Sequence, residues 1–132
     1  MISSEKRYAQ AAYSSMTDGF DPKDAAVFGT ICHQFPSMVR LNGLRLTAIF
    51  YDAKASASDS SVRSKAYSRY CKYMEQALEL QGVRLSEFVN SPACDSIRYR
   101  LLSRQALAAS IWFKRYAEAI LKVDAEAQEV DA

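Results

Sequence analysis

The sequence predicts an all-α fold, a single compact bundle of five to seven helices spanning residues 1–123, and three observations carry that prediction. The stretch from Ser96 to Lys122 sustains apolar residues at alternating steps of three and four, the period of a helix. Nothing in the chain alternates with the period of a strand. The apolar runs are punctuated by helix caps and stops rather than by hairpin turns.

Ser3 or Ser4 starts a first helix over residues 3–16, with Tyr8, Ala12 and Met16 on one face, joined by Ala9 and Tyr13. Thr17-Asp18-Gly19 ends it. Asp21 then caps a second helix with Pro22 at its first position, the place where a missing N–H costs nothing. Its inner residues are Ala26, Phe28, Ile31 and Cys32. Pro36 is expected to interrupt the pattern, so that Gln34 and Phe35 leave helical geometry. Residues 41–54 resume as a helix, with Gly43 marking a close approach of another backbone. The serine-rich stretch 55–61 reads as an exposed loop. A helix over 61–81 follows, with Tyr67, Tyr70, Cys71, Met74, Ala77 and Leu78 facing inward and Gly82 supplying the stop. Leu85, Phe88 and Val89 make a short amphipathic turn, and Ser91-Pro92 caps the start of the last helix. Residues 124–132 form an acidic tail expected to fray.

The last helix organises the rest. Tyr99, Leu102, Ala106, Ala109, Phe113, Tyr116 and Ile120 share one face, and Leu101, Ala108, Trp112 and Ala119 widen it to about half the circumference. The opposite face carries Arg100, Arg104, Lys114, Arg115 and Lys122, with Glu118 as its acid. Leu107 and Ile111 sit inside this basic strip, which marks a surface made to be covered.

The net charge of +2 conceals an asymmetry. Residues 1–60 are balanced, whereas 61–122 hold eleven bases against five acids and 123–132 hold four acids and no base. A basic half favours a polyanionic partner. No apolar run reaches the ~20 residues of a membrane span, and the first residues lack the apolar stretch of a signal peptide, so a cytoplasmic protein is expected. Cys32, Cys71 and Cys94 are too irregularly spaced for a disulfide framework or a metal knuckle.

The inventory for catalysis is thin, and no enzyme, cofactor or metal is expected. His33 adjoins Cys32, but neighbouring side chains on a helix point about 100° apart and do not share a metal, so a structural or surface histidine is the reading. No glycine-rich phosphate loop exists. A cysteine-dependent enzyme would need Cys71 or Cys94 to be activated by its surroundings. Tyr67, Tyr70 and Tyr73 are core by spacing, with Tyr73 at the edge as a possible base-stacking residue. Lys65, Arg69 and Lys72 line one outer stripe at helical spacing, a second basic face beside that of the last helix. Two such stripes, both short of acids, point to phosphate binding.

Two motifs then extend the reading beyond the fold. The run FPSMVRLNGLRLTAIF pairs Phe35-Pro36 with Asn42-Gly43-Leu44 and an apolar helix ending at Phe50. The run YRLLSRQALAASIWFKRYAEAIL carries Tyr99-Arg100, Ala106-Leu107, Trp112, Lys114-Arg115 and Ala117-Glu118-Ala119. In this order and separation they resemble the small all-helical subunit of the Cmr complex, the type III-B CRISPR effector. Ser103, Phe113 and Tyr116 stand where that family usually has threonine, leucine and phenylalanine. The resemblance implies a non-catalytic subunit of an RNA-guided RNA-targeting machine in antiviral defence. Copies would stack inside the complex beside the backbone and large subunits and hold the guide–target RNA duplex by its backbone.

From the helix faces, Arg40, Arg45, Lys65, Arg69, Lys72, Arg100, Arg104, Lys114 and Arg115 are the candidate phosphate contacts, and Leu107 and Ile111 the candidate subunit contact. Reversing Lys65, Arg69 and Lys72 to glutamate is expected to weaken RNA retention and leave the fold intact. The competing reading is a helical adaptor whose apolar–basic face docks a protein and touches no RNA.

Overall fold

A computed structural model describes residues 2–57, 61–80 and 82–123; the acidic tail and the middle of the serine-rich loop lie outside the described residues. Within them the chain is all-α, as the periodicity predicts, and holds no strand. Helix α1 spans Ser4–Thr17, a 3₁₀ turn Pro22–Asp24, α2 Ala25–Ala55, α3 Val62–Ala77, the short α4 Leu85–Val89 and α5 Ser96–Ile120. Helices α1 and α2 each pack against both α3 and α5, while α3 and α5 meet across the centre through Tyr70 and Phe113. The four long helices therefore form a square in which α3 and α5 sit at opposite corners.

Local chemistry explains most of the boundaries. Ser3 accepts from the Lys6 N–H, Ser61 from Ser64 and Asp95 from Arg98, each satisfying an orphan donor of a first turn. The last helix thus starts at Ser96 under Asp95, not at Ser91-Pro92. Asp21 caps the 3₁₀ turn with Pro22 at its first position, as expected. Helix α3 stops earlier than Gly82, because Glu79 adopts φ +58° and the Leu80 N–H turns back to the Glu75 carbonyl.

Pro36 does not end α2. Its fixed φ suits a helix, and the cost is the bond to the carbonyl four residues back. Phe28, Ile31, Cys32, Phe35 and Val39 are all buried along one face, and their packing holds the register through the proline. The break comes at Gly43 instead, where φ +85° and ψ 163° kink α2 into two halves. No other backbone crosses there, contrary to expectation. The group that comes close is the Tyr99 hydroxyl of α5, 3.4 Å from where a Cβ would stand.

The core centres on Tyr70. Its ring lies 5.1 Å from Phe35, 5.5 Å from Tyr51 and 5.0 Å from Phe113, joining α2, α3 and α5 through tilted and edge-on contacts. Leu102, Ala106, Ala109 and Phe113 make the inner face of α5, whereas Leu101, Ala108 and Ala119 are exposed and the buried stripe is narrower than half the circumference. His33 is structural: its Nε2 lies 2.9 Å from the Val123 carbonyl, which makes Nε2–H the donor.

The α4 end is held by carboxylates. Glu75 accepts from the Leu85 N–H at 2.9 Å, and Asp52 accepts from Ser86 at 3.0 Å and pairs with Arg84 at 3.4 Å. Burial, then the neighbouring charge of Asp52, raises the Glu75 carboxyl above its usual 4.5, against the lowering effect of the Leu85 N–H. The native state therefore keeps this proton to higher pH than the unfolded chain, and the stability that Glu75 contributes is lost as pH rises through its native value. A glutamine keeps the acceptor and removes the charge. Glu75→Gln should raise the urea midpoint at pH 7, by less than about 1 kcal/mol because the group is partly solvated, and give no gain at pH 4. Equal gains at both pH values would place the effect outside this carboxylate.

Candidate nucleic-acid interface

The nine candidate cations separate into two kinds. Arg45 and Arg69 are turned to the main chain. Arg45 stacks over the Tyr99 ring at 4.4 Å and directs Nε and Nη2 to the Val89 carbonyl at 3.3 and 3.2 Å. Arg69 donates Nε to the Ser15 carbonyl at 2.5 Å and Nη2 to the Ser14 and Asp18 carbonyls, so it closes the C-terminus of α1. Arg7 does the converse, donating Nε to the Ala77 carbonyl at 2.9 Å at the end of α3 and pairing with Glu79 at 3.2 Å. The two antiparallel helices thus cap each other's C-termini with arginine. A Lys65/Arg69/Lys72 triple reversal is consequently expected to destabilise the fold rather than leave it untouched. Only the outer two positions are clean probes of surface charge.

The other cations face solvent. Arg40, Lys65, Lys72, Arg100 and Arg104 are exposed, Lys114 is half-exposed, and none of these six pairs with an acid among the described residues. Arg115 is exposed and reaches Glu118 at 3.5 Å. Because α3 and α5 occupy opposite corners, Lys65 and Lys72 point away from Arg100, Arg104, Lys114 and Arg115. The structure does not merge the two strips.

Apolar exposure identifies surface that the periodicity alone missed. Leu107 packs against the core and, like Ile111, is only partly exposed. Beside the Gly43 kink, Leu41 is 83% and Leu46 62% exposed, and on the first turns of α5 Ile97 is 71% and Leu101 43% exposed. Arg45 on Tyr99 ties the kink to those turns. In sequence nothing separates these leucines from the true core positions Leu44 and Leu102 beside them. Only the kink and the helix phase decide which way they face.

The tyrosine and cysteine candidates are largely enclosed. Tyr73 is 6% exposed and flanked by Arg69 and Lys72, so it is no base-stacking residue. Cys32 is fully buried, which raises its thiol pKa, and Cys71 is pushed up to about 12 by burial with Glu75 and Asp52 nearby, so neither carries the thiolate a nucleophile needs. No group of three or more metal-binding side chains exists among the described residues, and no helix there is long and apolar enough to cross a membrane.

Fold and surface together define a small helical protein with cationic and apolar patches exposed on its outer faces. Comparison with known proteins gives the family. The CRISPR-associated protein family Cas_Cmr5 matches residues 4–120, and the chain belongs to it, as a small subunit of the type III-B Cmr system in CRISPR defence. It is 24% identical over 116 residues to the CRISPR system Cmr subunit Cmr5 of Thermus thermophilus, a match covering 87% of this chain and 93% of that one.

Proposed function

We propose that this chain is a non-catalytic subunit that assembles with other Cmr subunits and further copies of itself, and holds guide–target RNA by its backbone. The observation that supports it is the set of exposed cations left without acid partners. Lysine or arginine spent on intramolecular ion pairs does not neutralise phosphate; these are free to. The α3 strip of Lys65 and Lys72 is mostly polar, with the exposed Val62 one turn before Lys65, and suits phosphate. The α5 strip mixes Arg100 and Arg104 with Ile97 and Leu101, which suits a neighbouring subunit at its centre and RNA backbone at its rim.

Three double variants test the division. Lys65→Glu/Lys72→Glu should melt like the wild type, release RNA from the reconstituted complex, and flatten the dependence of log affinity on log salt by about 2. Leu46→Glu/Leu101→Glu should also melt like the wild type but fail to enter the complex, since a buried glutamate at a contact lacks a partner. Normal RNA retention with a full salt slope in both Lys65→Glu/Lys72→Glu and Arg100→Glu/Arg104→Glu would favour the adaptor reading, in which the apolar–basic face docks protein alone. That alternative rests on the same exposed leucines.

A further inference from the structure

We infer that the acidic segment 124–132 docks on its own chain, in the groove between α2 and α3 that begins at His33. Val123 is the last described residue, and its position is fixed from three sides. Its N–H reaches back to the Ala117 carbonyl at 3.1 Å, its carbonyl is held by His33 Nε2, and its side chain fills a notch that exists because residue 29 is glycine. A Cβ on Gly29 would stand 2.5 Å from Val123 Cβ. Asp124 therefore starts one bond away from a carbonyl anchored on the groove's own histidine.

The groove has about 440 Å³ of open volume, and its lining includes Met38, Leu41, Phe50, Lys54 and Arg63, with no carboxylate among its described lining residues. Lys54 stands 5.4 Å from the Phe50 ring. The segment that follows Val123 is Asp-Ala-Glu-Ala-Gln-Glu-Val-Asp-Ala, four carboxylates with no base and Val130 as its one branched apolar residue. Cations and an apolar floor in the groove meet acids and a valine in the segment. Nine extended residues reach about 30 Å, whereas the eight residues from His33 to Leu41 along α2 rise about 12 Å. The segment is long enough to line the groove and short enough to concentrate its charge there. The inference is independent of RNA binding.

Carbodiimide coupling of the intact chain, which joins a lysine amine to a carboxylate only in contact, tests it directly. In the monomer fraction, peptides joining Lys54 to Glu126, Glu129 or Asp131 should dominate over those from Lys6, Lys65 or Lys72. The Lys54 product should fall several-fold at ~1 M NaCl, where exposed charges are screened, and several-fold in Arg63→Glu, whose melting should be unchanged. Uniform coupling across the lysines, insensitivity to both salt and Arg63→Glu, or Lys54 products confined to the dimer fraction would each overturn docking within one chain.

Discussion

Gly43→Ala should cost the protein about 1–3 kcal/mol, read as a lower urea midpoint at unchanged slope. At φ +85° and ψ 163° the backbone occupies a region that essentially belongs to glycine, so any Cβ is strained before it meets a neighbour. The neighbour then adds to it. That Cβ would lie 3.4 Å from the Tyr99 hydroxyl, which also accepts the Arg45 N–H at 3.0 Å and so caps the second half of α2. A shift of Tyr99 to make room releases an orphan donor and loosens the Arg45 stack together. Gly82, at φ +84° with nothing within 4 Å of its Cβ position, is the control for backbone strain alone. If Gly43→Ala destabilises no more than Gly82→Ala, the Tyr99 cap contributes nothing.

Arg69→Met should be comparably damaging, at about 1.5–3 kcal/mol for hydrogen bonds from a charged donor, although the residue reads as surface charge. It leaves the Ser15 and Asp18 carbonyls at the end of α1 without their donor. Arg69→Lys should recover little, since a single ammonium does not span carbonyls that the guanidinium fork reaches together. Lys65→Met and Lys72→Met, each about one turn away on the same helix, should fall within about 0.5 kcal/mol of the wild type. Urea titration of the four variants separates the clasp from the strip. An Arg69→Met protein as stable as the two lysine variants would return Arg69 to the phosphate-binding set.

These contrasts explain what the sequence could and could not reveal. Helix class, element order and the inner face of α5 were legible because burial repeats with the backbone's own period: Leu102, Ala106, Ala109 and Phe113 follow it to the core. Pro36 misled, because local propensity favours a break and the aromatic packing on either side overrides it. Gly43 was correctly singled out but for another reason, since a positive φ leaves no mark on the sequence besides the glycine itself. The candidate interface was the least legible part. Arginine at a helix surface looks the same whether it faces phosphate or a carbonyl at the end of a neighbouring helix. Arg45 and Arg69 find such carbonyls, on Val89 and on Ser14, Ser15 and Asp18, only once the helices are placed.

The crossed arginine caps of α1 and α3 share a chemical character with the Arg45 contact to Val89. A guanidinium keeps its proton across the range in which proteins stay folded, and a main-chain carbonyl has none to exchange. The contact from Glu75 to the Leu85 N–H is made by a carboxyl whose proton does exchange. A change of pH therefore acts on α4 through Glu75, while the contacts from Arg69 to α1, from Arg7 to the Ala77 carbonyl and from Arg45 to the Val89 carbonyl carry no such dependence. The Arg7 and Arg69 caps that hold α3, the helix of Lys65 and Lys72, against α1 do not answer to pH.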